Sequence, residues 1–110
     1  MTKRPLYYIL VGKLPIPVKS IDEWMVWLAK QPTFTTRVGL TDIGPIMIST
    51  VFLGLDHSWG YGPPMLFETM VFRGGESAEC GRYESWEEAA KGHKAFVAKV
   101  RNEIKENVHK

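Results

Sequence analysis

The sequence predicts an α+β fold in the order β-α-β-β-β-α, with a three- to four-stranded, mostly antiparallel sheet and both helices packed on one face. Three observations carry this prediction. Two capping boxes, Ser20-Ile21-Asp22-Glu23 and Ser85-Trp86-Glu87-Glu88, place a Ser hydroxyl and a Glu carboxylate where each satisfies a free amide N–H at a helix start. Two runs rich in β-branched and apolar residues, 46–53 and 65–72, lie between them. Strands grouped between helices, rather than alternating with them one for one, argue for α+β.

The elements follow in order. Tyr7-Tyr8-Ile9-Leu10-Val11 is built of β-formers and stops at Gly12, after which Pro15 and Pro17 forbid a helix, so a strand leads into an extended connector. The first helix runs from the Ser20 box to about Lys30 and is stopped by Pro32. Trp24, Trp27 and Leu28, at i, i+3 and i+4, make its buried face. A weak strand over 35–40 is followed by the turn Asp42-Ile43-Gly44-Pro45. Residues 46–53 show little polar alternation, which places this strand centrally, with both faces buried or with an apolar second face. Residues 57–64 are a loop by composition, and 65–72 form the next strand, ended by Gly74-Gly75. The two strong strands pair as a hairpin with a long, structured tip. In the last helix Trp86, Ala89, Ala90, His93, Phe96, Val97, Val100 and Ile104 make one stripe that covers the sheet.

Composition describes one domain over residues 1–110. A chain of 110 residues with 45% hydrophobic and 24% charged positions buries about 65% of its unfolded surface, enough for a core without metal or disulfide staples. Four Trp, four Tyr and five Phe supply large burial units, which excludes disorder. The longest mostly apolar stretch, 46–55, already contains Ser49, Thr50 and Gly54, whereas about 20 apolar residues are needed to span a bilayer. No membrane anchor or secretory signal is expected, and a cytoplasmic setting is the default, in keeping with the single Cys80.

Fourteen basic and twelve acidic residues give a net charge of +2, too balanced for dedicated nucleic-acid binding. Charge is uneven along the chain: Lys3, Arg4, Lys13 and Lys19 face no acid within residues 1–20, and five Glu lie in 76–88 against Arg82. Within the last helix acids come early and bases late, the pattern of a solvated helix complementing its own dipole. A phosphate-binding face is the other reading. The chain has no phosphate-cradling glycine loop, dinucleotide fingerprint, nucleophile elbow or zincin helix. One cysteine and three histidines cannot build a Cys-rich zinc site, and the Glu-flanked setting of Cys80 blunts a thiolate. No metal, cofactor or catalytic residue is assigned.

The region that stands out is Gly54-Leu55-Asp56-His57-Ser58-Trp59-Gly60-Tyr61-Gly62-Pro63-Pro64, with Glu68 close behind inside an apolar strand. Asp56-His57 sets a carboxylate beside an imidazole, the natural proton carrier near neutral pH. Glu68 shares a face with Leu66, Met70 and Phe72, where a carboxylate must find a partner, and Arg73, Arg82, His57 and His93 are candidates. One reading is a small pocket contacted by Asp56, His57 and Glu68, with Trp59 and Tyr61 as an aromatic wall. The binding candidates are therefore Asp56, His57, Trp59, Tyr61, Glu68, Arg73, Arg82, Tyr83 and His93. The other reading is architectural: Asp56 caps the loop, Glu68 forms an ion pair with Arg82, and His93 is a satisfied core residue.

The segments Ser49-Thr50-Val51-Phe52-Leu53-Gly54-Leu55-Asp56-His57, Trp59-Gly60, Gly62-Pro63-Pro64 and Leu66-Phe67-Glu68-Thr69-Met70-Val71-Phe72 carry a resemblance. Arg82-Tyr83, Ser85-Trp86-Glu87-Glu88-Ala89 and Gly92-His93 extend it. In these segments the chain resembles a family of short bacteriophage- and prophage-encoded proteins of uncharacterised function. The resemblance spans nearly the whole chain, implies a phage or host-cytosol setting, and transfers no catalytic residue. Three functions follow as expectations. The first, favoured, is an accessory protein that binds a host or phage protein, including as an inhibitor of a host defence complex, with Trp59 and Tyr61 as anchors. The second is a binder of a small anionic ligand such as a nucleotide, through Arg73, Arg82 or His57. The third is a small enzyme with a His-carboxylate pair, for which no nucleophile, metal or oxyanion donor is identifiable. Residues 46–53 and the Trp24-Trp27 helix face also suit a homodimer interface.

Overall fold

In a computed structural model that describes residues 5–32, 36–56, 58 and 61–108, the elements are β1 (Tyr7–Val11), β2 (Leu14–Val18), α1 (Ile21–Ala29), β3 (Arg37–Ile43), β4 (Ile46–Phe52), β5 (Phe67–Arg73), β6 (Glu76–Tyr83) and α2 (Trp86–Val108). The α+β architecture is the expected one. β3, β4, β5 and β6 form a four-stranded antiparallel meander in chain order, while β1 and β2 pair in a separate two-stranded sheet.

Two strands are additions to the expected order. β2 contains Pro15 and Pro17, which lie opposite Leu10 and Tyr8. Two residues apart, both prolines direct their missing N–H toward the same, unpaired edge of the hairpin, the one place where a strand tolerates proline. β6 follows from the turn before it. Gly74 and Gly75 have φ of 61° and 84°, the pair of positive φ angles that a two-residue hairpin turn requires, so the glycines that end β5 also begin its partner.

The expected hairpin of the two strong strands forms in continuous register, from Ile46 opposite Arg73 to Phe52 opposite Phe67. Ile48, Thr50 and Phe52 of β4 and Phe67, Thr69 and Val71 of β5 are buried on one face. α2 lies across this face through Ala89, His93 and Val100, which are themselves buried. One core cluster gathers Tyr8, Phe52, Leu66, Phe67 and Ala89; a second gathers Ile48, Val71 and Val100. Leu66, expected beside Glu68 on one face, instead precedes β5 and is buried in the first cluster.

The first helix reaches the same face only through Trp27, whose ring meets Phe52 edge-on at 6.0 Å. Among the named elements it otherwise packs on β1 and β2. Trp24 packs on Tyr7 with ring centroids 5.8 Å apart and presses its indole against Gly54, where any side chain would collide with it. Lys13, in the β1–β2 turn, sits 5.7 Å from the Trp86 ring centre, a cation–π contact joining this lobe to the start of α2. The helix itself contains no buried residue, and Leu28, expected on its buried face, is exposed.

Candidate functional site: an anchored aromatic loop at the sheet end

β4 and β5 diverge after Phe52 and Phe67, and the chain between them is closed at its base by main-chain bonds. Leu53 N–H donates to the Leu66 carbonyl, and Leu66 N–H to that of Tyr83. β1 borders the ascending limb, with Tyr8 N–H donating to Gly54 O and Asp56 N–H to Leu6 O. Asp56 then holds the loop together. Its Oδ1 accepts from the amide of Ser58 at 2.8 Å and from that of Met65 at 3.1 Å, spanning the two limbs with one carboxylate. This is the architectural role available to Asp at a loop start. A turn closed by Tyr61 N–H on Ser58 O projects the Tyr61 ring outward, 83% exposed. His57 and Trp59 lie outside the described residues.

The remaining candidates are distributed over both faces of the sheet. Glu68 stands on the face opposite α2, where Arg82 Nε donates to its Oε2 at 3.0 Å; the two residues are cross-strand partners in register. This is the ion pair foreseen for Glu68 on the architectural reading. Arg73, at the other end of β5, donates through Nη2 to Glu79 at 3.0 Å and to Glu103 at 2.9 Å. These bonds to two carboxylates hold its guanidinium pKa above the usual value. The Lys99 ammonium, donating at 2.7 Å, and Arg73 together hold the Glu79 carboxyl below its usual range. Both arginines are thus committed to carboxylates of the same chain, which leaves an anionic ligand to compete with them.

Tyr83 and His93 serve the interior. The Tyr83 ring packs on the first core cluster and lies over Gly92, where an added methyl would overlap it. Its hydroxyl would lie 2.7 Å from a methyl at Gly81, so two glycines clear the space for one ring. His93 is 8% exposed and bridges two hydroxyls: Nε2 and Thr41 Oγ1 are 2.9 Å apart, Nδ1 and Thr50 Oγ1 are 2.8 Å apart, and Thr50 in turn bonds a third, that of Thr69. A neutral imidazole, donating from one nitrogen and accepting at the other, completes this chain. Burial pushes the His93 pKa down, which favours that neutral form. Gly39 makes the arrangement fit, because a methyl there would stand 2.9 Å from the His93 ring. β3 bulges between Arg37 and Gly39, so that Val38 also packs on the core.

Sequence reasoning named His93 but missed Thr41, Thr50 and Thr69. The signal was present in the period of two: Thr50 sits between Ile48 and Phe52, and Thr69 between Phe67 and Val71, polar groups on faces that otherwise demand apolar ones. Among the described residues, no group of three His, Cys, Asp or Glu side chains could hold a metal ion, and no helix is long and apolar enough to cross a membrane. The described candidate residues do not converge on one concavity: Glu68 and Arg82 lie on the face of the sheet away from α2, Arg73 at the far end of β5, His93 and Tyr83 between α2 and the sheet, and Asp56 and Tyr61 in the loop. No protein-family model, curated protein or solved structure matches the chain.

Proposed function

We propose that this chain is a non-catalytic accessory protein that binds another protein through the loop containing Tyr61, with a host or phage protein as its partner. One observation carries the reading: the loop is tied at its base by Asp56 to Ser58 and Met65 and presents Tyr61 almost fully to solvent. A large aromatic side chain on a loop anchored at its base gives contact area at little entropic cost, which is why Tyr is prominent among residues that dominate binding energy. The resemblance of the chain to short phage-encoded proteins supports a setting in the host cytoplasm. Inhibition of a host defence complex is the form of binding we favour there.

The test is Tyr61→Ala. An exposed side chain away from the core should leave thermal stability within about 0.5 kcal/mol of the parent. Proteins that the parent chain retains from a bacterial extract should then be lost. Recovery of the same proteins at undiminished yield would show that the loop is not the recognition surface.

A further inference from the structure

A nine-residue helix with the sequence Ile-Asp-Glu-Trp-Met-Val-Trp-Leu-Ala and no buried residue is out of balance with its surroundings. Trp24 and Trp27 turn inward. The opposite face carries Asp22, Met25, Val26 and Ala29, at the spacing of one helical stripe. Met25 and Val26 are 55% and 56% exposed, and Ile21 and Leu28 flank them at 45% and 41%. An open groove of about 440 Å³ runs beside this face, lined by Asp22, Glu23, Val26, Trp27 and Lys30. Its acidic residues stand at the start of the helix and its one lysine at the C-cap.

We propose that α1 is a homodimer interface, in which two copies of the chain pair this helix antiparallel about a twofold axis at Val26. The geometry is self-complementary. Val26 lies midway between Asp22 and Lys30, so the twofold that sets Val26 against itself brings Asp22 of each chain to Lys30 of the partner subunit, at both ends of the contact. Met25 and Val26 fill the centre, and Ala29 is small enough to let the helices approach closely. An isologous contact has this form: one patch, matched to itself.

The size of the molecule agrees. A compact chain of this length has a radius of gyration near 13 Å, but this one measures 15.9 Å, with extents of 57 × 30 × 23 Å. Its accessible surface is 7437 Å², whereas a folded monomer of 12.5 kDa is expected to expose about 6,200 Å². The interface is separate from the loop that presents Tyr61, so the two proposals stand or fall independently.

Sedimentation equilibrium of the full chain tests the pairing. Over about 1–100 µM the parent chain should move from monomer toward a species of twice 12.5 kDa as mass action requires. Val26→Glu, at an exposed position, should remain monomeric throughout with an unchanged far-ultraviolet circular dichroism spectrum. Asp22→Lys and Lys30→Asp should each weaken the dimer about tenfold, and the double exchange should restore it. Both changes oppose the dipole of α1, so loss of helix stability would make the double variant worse than either single one. Recovery therefore reports a contact between chains. A parent chain that is monomeric throughout, a dimer that survives Val26→Glu, or a double exchange that does not recover would each overturn the proposal. A monomer that still binds its partner through Tyr61 would leave the loop reading intact.

Discussion

His93 shows how a polar group is kept in an apolar layer. Its two ring nitrogens join Thr41, Thr50 and Thr69 in one linear chain of hydrogen bonds, so that no strong donor or acceptor of the ring is stranded. The pKa of His93 is lowered by burial, so below about 6.5 the unfolded chain takes up a proton that the folded chain refuses. Folding stability should fall as pH drops from that value toward the lower folded pKa. Denaturant midpoints measured between these limits should show the slope in the parent chain, and His93→Gln, less stable at neutral pH, should flatten this part of the profile. Gly39→Ala would force its methyl against the same ring and should cost on the order of 1–3 kcal/mol. Gly92→Ala would drive a methyl into Tyr83. Alanine favours a helix interior by about 1 kcal/mol over glycine. Thermal unfolding should nevertheless show a lower midpoint, since the half-buried Tyr83 ring would have to give up its packing on the first core cluster to make room.

At the scale of elements, the helix starts are locally encoded. Ser20 Oγ accepts from Glu23 N–H at 3.2 Å, and Glu23 reaches back to the amide of Lys19, one residue before the cap. Ser85 Oγ accepts from Glu88 N–H at 3.1 Å. α1 buries no residue of its own, so its cap matters more than that of α2. Ser20→Ala should cost about 1 kcal/mol, and the loss should appear first as faster amide exchange within α1. The strands divide differently. β4 and β5 were legible because they are dense in apolar and β-branched residues. The prolines of β2 and the glutamates, Ala78 and Gly81 of β6 are poor strand formers. Those strands exist because a neighbour offers a ladder, β1 through the turn at Gly12 and β5 through Gly74-Gly75, and pairing outweighs propensity. Arg73 stitches the outcome together by joining β5 to β6 through Glu79 and to α2 through Glu103. Arg73→Met should lower the thermal midpoint modestly, with the difference shrinking as salt is raised, because the groups are partly exposed.

At the scale of the molecule, two lobes share one chain. The four-stranded sheet and α2 make a conventional two-layer core. β1, β2, α1 and the loop carrying Tyr61 make a second lobe, to which, among the described residues, every exposed large apolar residue except Leu40 belongs. The proposed contacts, Tyr61 for another protein and α1 for a second copy, both fall there, which makes this lobe the interacting end. By itself the sequence determined the fold class, both helix starts, the central hairpin and the long-helix stripe, and for Glu68 it left a pocket contact and an ion pair both open until the structure placed Arg82 beside it. The features it determined depend on spacing and capping, which act within a few residues or across one ladder. Tertiary structure alone decided that β1 leaves the main sheet, that the hydrogen-bond chain from His93 runs through threonines of three strands, that Tyr83 needs two glycines, and that α1 keeps an apolar face in water. Each of those depends on which distant segments are brought together, and a local pattern does not specify its own neighbour.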